Sequence, residues 1–266
     1  MSVKLSVIIV EYRCLEEVSK CLESVSRYLR GISYETVVSV NSFYEKNAIS
    51  ALEKEYPSVK WLINRKNLGF AGGVNAGIRN SSGEYILLLN PDVQFMDNSL
   101  QEALRYMDDN KAIGILGPKI LDPLGNAQDS SRSFMTPGIL VKRAMKRVLS
   151  GSGGPVIEDT DHDRPHETDW VSGGCMIIDR GKLGEVGLFD ERYFLYVEDM
   201  DIARRFWDEG YKVVYWPFMT VTHRARRASA PGTKNLFFIK YSVIHMVSYF
   251  RYLIKFKGEA GRLRKR

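Results

Sequence analysis

Residues 5–29 read LSVIIVEYRCLEEVSKCLESVSRYL, and the fold turns on how this stretch divides. Its opening, LSVIIV, is an apolar, β-branched run of the kind carried by strands buried on both faces. Beyond EYRC, Leu15, Val18, Leu22, Val25 and Leu29 recur at 3-4-3-4 spacing, which marks one face of a helix. A buried strand feeding a helix is the unit of a parallel sheet, so the next question is whether it repeats.

It does. YETVVSV (34–40) reads as a second strand, followed by a short helix around Ala48–Tyr56 that Pro57 stops, and VKWLI (59–63) reads as a third. A helix through Gly72–Asn80, a strand EYILLL (84–89), a helix from Ser99 to Met107 and a strand-like IGILGPKI (113–120) continue the alternation. The pattern predicts an α/β fold, a single mostly parallel central sheet flanked by helices, with ligands at the carboxyl ends of the strands. The rhythm then breaks: residues 149–168, LSGSGGPVIEDTDHDRPHET, are rich in Gly, Pro and acids and read as a mobile loop. Patterning resumes at DWVSGGCMIID (169–179), passes through FLYVEDMDIARRFW (194–207) and reaches the strand KVVYW (212–216).

Composition agrees with a folded enzyme-sized domain: 266 residues, 44% of them hydrophobic, suffice for one large α/β domain with an appendage. The formal charge of +6 is uneven, because Lys142, Arg143, Lys146 and Arg147 form one basic cluster and Lys255, Lys257, Arg262, Arg264, Lys265 and Arg266 another. Such blocks fit a polyanion or an anionic membrane surface. They do not line a groove with stacking aromatics, which argues against nucleic acid. The three cysteines show no metal or disulfide spacing, so a reducing, cytoplasmic location is the default. The N-terminal apolar run is too short for a secretory signal, and no apolar stretch reaches the roughly 18 residues of a membrane span.

Four places put polar residues at the ends of apolar strands. In LLLNPDV, Pro91 cannot continue a central strand, so the chain turns between Asn90 and Asp92, either as a plain strand ending or as a site. In NLGFAGGVNAGI (67–78), Gly69, Gly72, Gly73 and Gly77 surround Asn67 and Asn75, and glycines at a helix start let backbone amides approach a phosphate. In FLYVEDMDIARRFW a helix starts near Asp199 and ends at Gly210, with Met200, Ala203, Phe206 and Trp207 on its buried face. Asp199 there reads as an N-cap or as a functional acid, and capping leaves part of the Glu198, Asp199 and Asp201 cluster unexplained. The fourth is His223, after Pro217 in WPFMTVTH. His162 and His166 are separated by Pro165, which breaks the helix that would align them, so they read as a solvated loop. Trp170, ahead of Ser172, Gly173 and Gly174, reads as core or as an aromatic wall against a sugar ring.

In this order, NLGFAGGVNAGI, LLLNPDV, DWVSGGCMIIDR, VGLFDERYFLYVEDMDIARRF and His223 with Ser229 beyond it resemble the family 2 inverting glycosyltransferases of GT-A fold, in particular their rhamnosyltransferase-like branch. The resemblance runs over most of the chain and implies a GT-A domain at 1–227, with a nucleotide-sugar-binding half (1–120) and an acceptor and catalytic half (169–227), plus a basic C-terminal helix and tail at 228–266. It implies that Asp92 ends a DxD-type motif in which Asn90 holds the first acid's place. Asp92 and His223 would then ligate Mg²⁺ or Mn²⁺ on the donor diphosphate, the imidazole tilting the choice toward Mn²⁺. Asp199 matches the general base, with Glu198 beside it. Tyr12, Arg13, Asn41, Asn67, Gly69, Gly72, Asn75, Asn90 and Asp92 would meet the donor, and Trp170, Gly173, Gly174 and Asp201 the acceptor.

What the resemblance implies is transfer of a sugar, L-rhamnose from its dTDP donor, to a lipid-linked or growing surface polysaccharide. Arg13 and Val40 depart from it, standing where the family has an Asn and the acid that contacts the base. Val40 keeps open a non-catalytic nucleotide-sugar-binding homologue, which the retained Asp92, Asp199 and His223 oppose. A sugar-nucleotide nucleotidyltransferase would want a basic Gly-rich loop after the first strand, and VEYRCLEEV has none. Finally, LFFIKYSVIHMVSYFRYLIKF (236–256) sets Lys240, Ser248, Arg251 and Lys255 on one side of a helix and apolar residues elsewhere. It reads as an interfacial helix at the inner face of the cell membrane, or as a helix packed on the catalytic domain or at a dimer interface.

Overall fold

The computed structural model of the chain describes residues 2–134, 162–224 and 236–257. The basic cluster at 142–147, most of the loop at 149–168, Ser229 and the basic tail beyond 257 lie outside the described residues.

The predicted alternation is present. Strand β1 (Leu5–Glu11) is buried along its whole length and leads into α1 (Leu15–Tyr28). Then follow β2 (Tyr34–Val40), α2 (Lys46–Glu55), β3 (Val59–Ile63), α3 (Gly69–Arg79), β4 (Tyr85–Leu89), β5 (Val93–Phe95), α4 (Leu100–Asp109) and β6 (Ile113–Leu121). The pairs β7 (Ala127–Gln128), β8 (Ser131–Arg132), β9 (His166–Glu167) and β10 (Trp170–Val171) are short. The rest comprises β11 (Cys175–Asp179), the single turn α5 (Leu183–Val186), α6 (Glu198–Asp208), β12 (Lys212–His223) and α7 (Leu236–Lys255).

The large sheet runs β3-β2-β1-β4-β11-β6-β12-β5. Its first four strands are mutually parallel, which gathers their carboxyl ends on one edge. Strand β11 runs antiparallel between β4 and β6, so the sheet is mixed at its middle. Strand β12 corrects the expected limit at Trp216. It continues to His223 because a register shift between Trp216 and Thr220 absorbs Pro217, whose missing N–H would otherwise break the ladder with β6. That continuation carries His223 into register with Val93 of β5. His162 and His166 also differ from a purely solvated loop, since both rings contact the buried Tyr215.

One core cluster packs α1 and α4 on the sheet through Val18, Leu22, Leu104 and Met107, and the other packs α3, α6 and α7 through Val74, Ile78, Phe206 and Tyr252. Gly69 opens α3 at φ +74°, and a Cβ there would stand 2.3 Å from the Phe194 carbonyl oxygen, which the Phe70 N–H already engages at 2.8 Å. Gly69→Ala is therefore expected to cost about 2–4 kcal/mol of stability, from left-handed backbone strain plus overpacking, as read by urea titration.

Candidate active site

The carboxyl edge of β4 ends in the Asn90-Pro91-Asp92 turn, closed by the Val93 N–H donating to the Asn90 carbonyl at 3.0 Å. Asp92 Oδ2 lies 3.2 Å from His223 Nε2, and both side chains keep access to solvent. The backbone fixes the pair. The Arg224 N–H donates to the Asp92 carbonyl at 3.1 Å, and Gln128 Nε2 donates to the His223 carbonyl at 3.0 Å. A carboxylate oxygen and an imidazole nitrogen so placed suit a divalent ion such as Mn²⁺. No group of three His, Cys, Asp or Glu side chains that could hold a metal occurs among the described residues. The pair thus fits a metal whose remaining ligands come from a bound diphosphate and water.

Asp199 is not the N-cap of α6. Val197 holds that position in the left-handed region, at φ 76°, directly after Tyr196 at φ 67°. Two consecutive bulky residues at positive φ are costly, and such strain persists where surrounding contacts hold it. They turn the chain so that Asp199 Oδ2 accepts the Gly173 N–H at 3.0 Å while Oδ1 accepts its neighbour's N–H, Met200, at 2.8 Å. A Cβ on Gly173 would stand 3.3 Å from Asp199 Cβ, so glycine is what permits this approach.

Glu198 is buried, and its Oε2 has no hydrogen-bond partner among the described residues. Burial, with Asp199 next, pushes its carboxyl well above the ordinary range. Burial also raises Asp199, but the Gly173 and Met200 N–H groups and the charge of Arg132 oppose the rise. Glu198 therefore keeps its proton longer, and Asp199 is the member that ionises first and can accept one. Turnover should rise with pH along a limb displaced above the usual carboxylate range, in a pH–rate profile. Because Glu198's affinity for its proton is higher folded than unfolded, its contribution to stability is whole below the ordinary carboxylate pKa and lost as pH rises through the raised value. Glu198→Met should accordingly stabilise the fold by about 1–3 kcal/mol at pH 8 relative to its effect at pH 4, in paired thermal melts.

The two ends of this site meet on one dipeptide. The Gly174 carbonyl accepts the Asn90 N–H at 2.8 Å, while the preceding Gly173 N–H holds Asp199. The Asn90-Pro91-Asp92 turn and the acid at the start of α6 are thus tied to adjacent residues of the β10–β11 connection.

Several expected contact residues are occupied by the fold itself. Asn41 donates to the Gly69 carbonyl at 2.9 Å and accepts from Asn64 Nδ2 and the Leu68 N–H, bracing the turn into α3. Asn67 caps that turn by accepting the Gly69 N–H at 2.8 Å, and Gly72 packs against Leu68. Asn75 is buried and spans to Phe189 with both its groups. Trp170 is core rather than a sugar wall, with Nε1 donating to the Ser133 carbonyl and Arg132 lying 5.1 Å over its ring. Asp201 is also turned away from the cleft: fully buried, it pairs with Arg205 at 2.9 Å and Lys255 at 2.7 Å. Tyr12 stays 42% exposed beside the left-handed Arg13, φ 58°, at the carboxyl edge of β1, where a donor can reach them.

Two residues escaped sequence reading. Glu11 is wholly buried at the end of β1, directly across the ladder from Val40, and its Oε1 takes hydrogen bonds from the Cys14 N–H, Ser42 and Tyr44. An acid closing an apolar strand was a visible signal for it. Arg132, whose charge acts on Asp199, had no such signal because it lies outside the recognised motifs.

Comparison with known proteins places this geometry. The chain is 33% identical over 191 residues to the N-acetylglucosaminyl-diphospho-decaprenol L-rhamnosyltransferase of Mycobacterium tuberculosis, a match covering 65% of this chain and 61% of that protein. It is 26% identical over 178 residues to rhamnosyltransferase WbbL of Escherichia coli, covering 66% and 64%. The chain thus spans less than two thirds of the length of these curated relatives. Among solved structures it superposes on GalNAc-T7 with UDP, GalNAc and Mn²⁺ at TM-score 0.66 and 17% identity, covering 95% of this chain and 48% of the other. Against the mannosyltransferase PcManGT of Pyrobaculum calidifontis with GDP-Man and Mn²⁺ the values are 0.62 and 15%, covering 96% and 65%. These likenesses establish the GT-A glycosyltransferase fold. Residues 6–186 match the family model described as Glycosyl transferase family 2, so the match extends from β1 past the glycine pair that joins the two ends of the site, and the chain belongs to that family.

Proposed function

We propose that the protein is an inverting glycosyltransferase that moves a sugar from a nucleoside diphosphate donor to a hydroxyl of a lipid-linked or growing glycan. The observation that carries this reading is the Gly173–Gly174 link between Asp199 and the Asn90-Pro91-Asp92 turn. In this reading Asp199 is the base, and Asp92 with His223, 3.2 Å apart, is the diphosphate-binding pair tied to it through that link. Asp199 removes the acceptor proton as the acceptor oxygen bonds to the anomeric carbon, and the carbon–oxygen bond to the diphosphate breaks on the opposite face. Inversion follows from this single displacement. A divalent ion held by Asp92 and His223, Mg²⁺ or Mn²⁺, would supply charge stabilisation to the departing diphosphate. Residues of the chain do the rest: the Gly173 N–H orients Asp199, and the neutral Glu198 avoids a second charge beside it.

The donor read here is dTDP-L-rhamnose, supported by relatives named as rhamnosyltransferases. The proposed acceptor is lipid-linked, in keeping with the diphospho-decaprenol acceptor in the name of the M. tuberculosis relative. No helix among the described residues is long and apolar enough to cross a membrane; the site of action proposed for a lipid-linked acceptor is the cytoplasmic face of the membrane. The deciding experiment incubates the protein with a panel of sugar nucleotides, with and without Mn²⁺, and measures free nucleoside diphosphate. Release above background from dTDP-rhamnose with an acceptor supports the reading. Donor binding without release from any donor and acceptor overturns it.

A further inference from the structure

Helix α7 carries apolar side chains on two sides, and Tyr249, Tyr252, Leu253 and Phe256 pack one of them against the core. Polar contacts also join it to the domain: Ser248 Oγ donates to the Leu195 carbonyl at 3.0 Å, the Arg251 guanidinium donates to the Arg192 carbonyl, and Lys255 Nζ bridges Asp190 at 3.0 Å and Asp201 at 2.7 Å. A second set of apolar side chains points outward. Ile239, Val243, Met246, Val247, Phe250 and Ile254 are all exposed, Ile254 to 73%, and fall within an arc of about 100° on a helical wheel. Ser248, Tyr252 and Lys255 lie on the far side of the wheel, with Arg251 at the edge of the arc. No acidic residue occurs from 236 to 257, and the sequence continues with one acid, Glu259, and four basic residues, Arg262, Arg264, Lys265 and Arg266. An apolar stripe with predominantly basic flanking charge complements an anionic lipid surface, where apolar burial and headgroup attraction add.

The polar contacts fall between Asp190 and Asp201, the stretch that delivers Asp199. Leu195 and Arg192 lie just before the left-handed Tyr196 and Val197, and the His245 ring sits 5.0 Å from that of Tyr196. Asp201 follows Asp199 on α6, is fully buried, and is held by Lys255 from α7 and by Arg205, which also donates to the Val186 carbonyl. A buried carboxylate that loses one of two cationic partners must move or take up a proton.

We infer that α7 lays its outward stripe on an anionic lipid surface and, through Lys255 on Asp201, holds the strained turn that positions Asp199, so that docking and base placement are coupled. Lys255 is a positioning residue. Lipid binding steadies α7, and α7 steadies the turn, which gives the lipid a differential contact with the ordered state. The inference rests on Asp199 being the base, as proposed above, and extends that reading to how the base is held.

The test uses the full chain with vesicles of phosphatidylcholine alone or mixed with phosphatidylglycerol. Met246→Ser combined with Phe250→Ser should lose about tenfold or more in affinity for the anionic vesicles while leaving turnover on a water-soluble acceptor, without vesicles, within about twofold. Lys255→Met should lower kcat about 30-fold at unchanged donor KM, the signature of a displaced catalytic group, and Lys255→Arg should restore most of it. Independently of activity, amide exchange at 195–200 should quicken about tenfold in Lys255→Met and slow when wild type meets anionic vesicles. Equal binding of both vesicle types, or a stripe that instead forms a dimer lost in the serine double variant, overturns the lipid assignment. Unchanged exchange in Lys255→Met, or kcat and donor affinity falling together without rescue by arginine, overturns the positioning role. Vesicle binding and exchange protection in a wild type that releases no nucleoside diphosphate would count against the proposed transfer reaction and leave the coupling standing.

Discussion

Asp199→Asn reduces glycosyl transfer by about 10³–10⁴-fold while donor affinity stays within about twofold. The asparagine keeps the shape and one acceptor oxygen, so the Gly173 or Met200 N–H can still be met, but it cannot take the acceptor's proton. The buried environment raises the Asp199 carboxyl, so the ionised side chain is a stronger base than a surface aspartate, and the loss on amidation is correspondingly large. Because the substitution removes an interaction made only as the bond forms, kcat and kcat/KM should fall together. Titration of donor against variant and wild type, followed by single-turnover rates, separates binding from chemistry. A variant that kept more than about a tenth of wild-type turnover would move the base elsewhere.

Asp92→Ala fails in the opposite way, with Mn²⁺-dependent donor binding weakened by about 100-fold and little added loss at saturating donor. Under the proposed assignment the alanine would leave His223 as the single protein ligand, and one imidazole does not hold a hard divalent ion against water. The β5–β12 register keeps His223 in place in the variant, because it is set by backbone pairing and by the Gln128 bond to the His223 carbonyl rather than by Asp92's carboxylate. Calorimetric titration of dTDP-rhamnose with and without Mn²⁺ reads the result. The signature is collapse of the Mn²⁺ dependence with the metal-free affinity unchanged. Equal weakening with and without Mn²⁺ would show Asp92 contacting the donor by some other route.

The alternating architecture was legible because buried parallel strands and amphipathic helices write opposite periodicities, and β1 with α1 shows both in one stretch. Asp92, Asp199 and His223 were legible as an ordered motif set, and the structure brings Asp92 and His223 together from strands far apart in sequence. What sequence could not show was the partner of each polar group. Asn41 and Asn75 look like donor contacts until their amides are found bound to backbone, and Asp201 looks like an acceptor contact until Lys255, from far along the chain, is found on it. Such pairings depend on long-range geometry that local spacing does not encode. The same holds for α7, where periodicity separated the polar from the apolar side but not which side faced the protein.

The glycine pair at 173–174 has a last consequence. With the proposed base hydrogen-bonded to one residue and the proposed metal-end turn to the next, the two anchor points are one peptide unit apart, and the two hydrogen bonds restrict how far base and turn can separate. Such an arrangement works as a fixed-gauge caliper that accepts one reach from attacked carbon to attacking hydroxyl. Regiochemistry would then be strict at the reacting hydroxyl and lax further out, so acceptors that differ in their distal sugars should be glycosylated at the same carbon, whatever their rate.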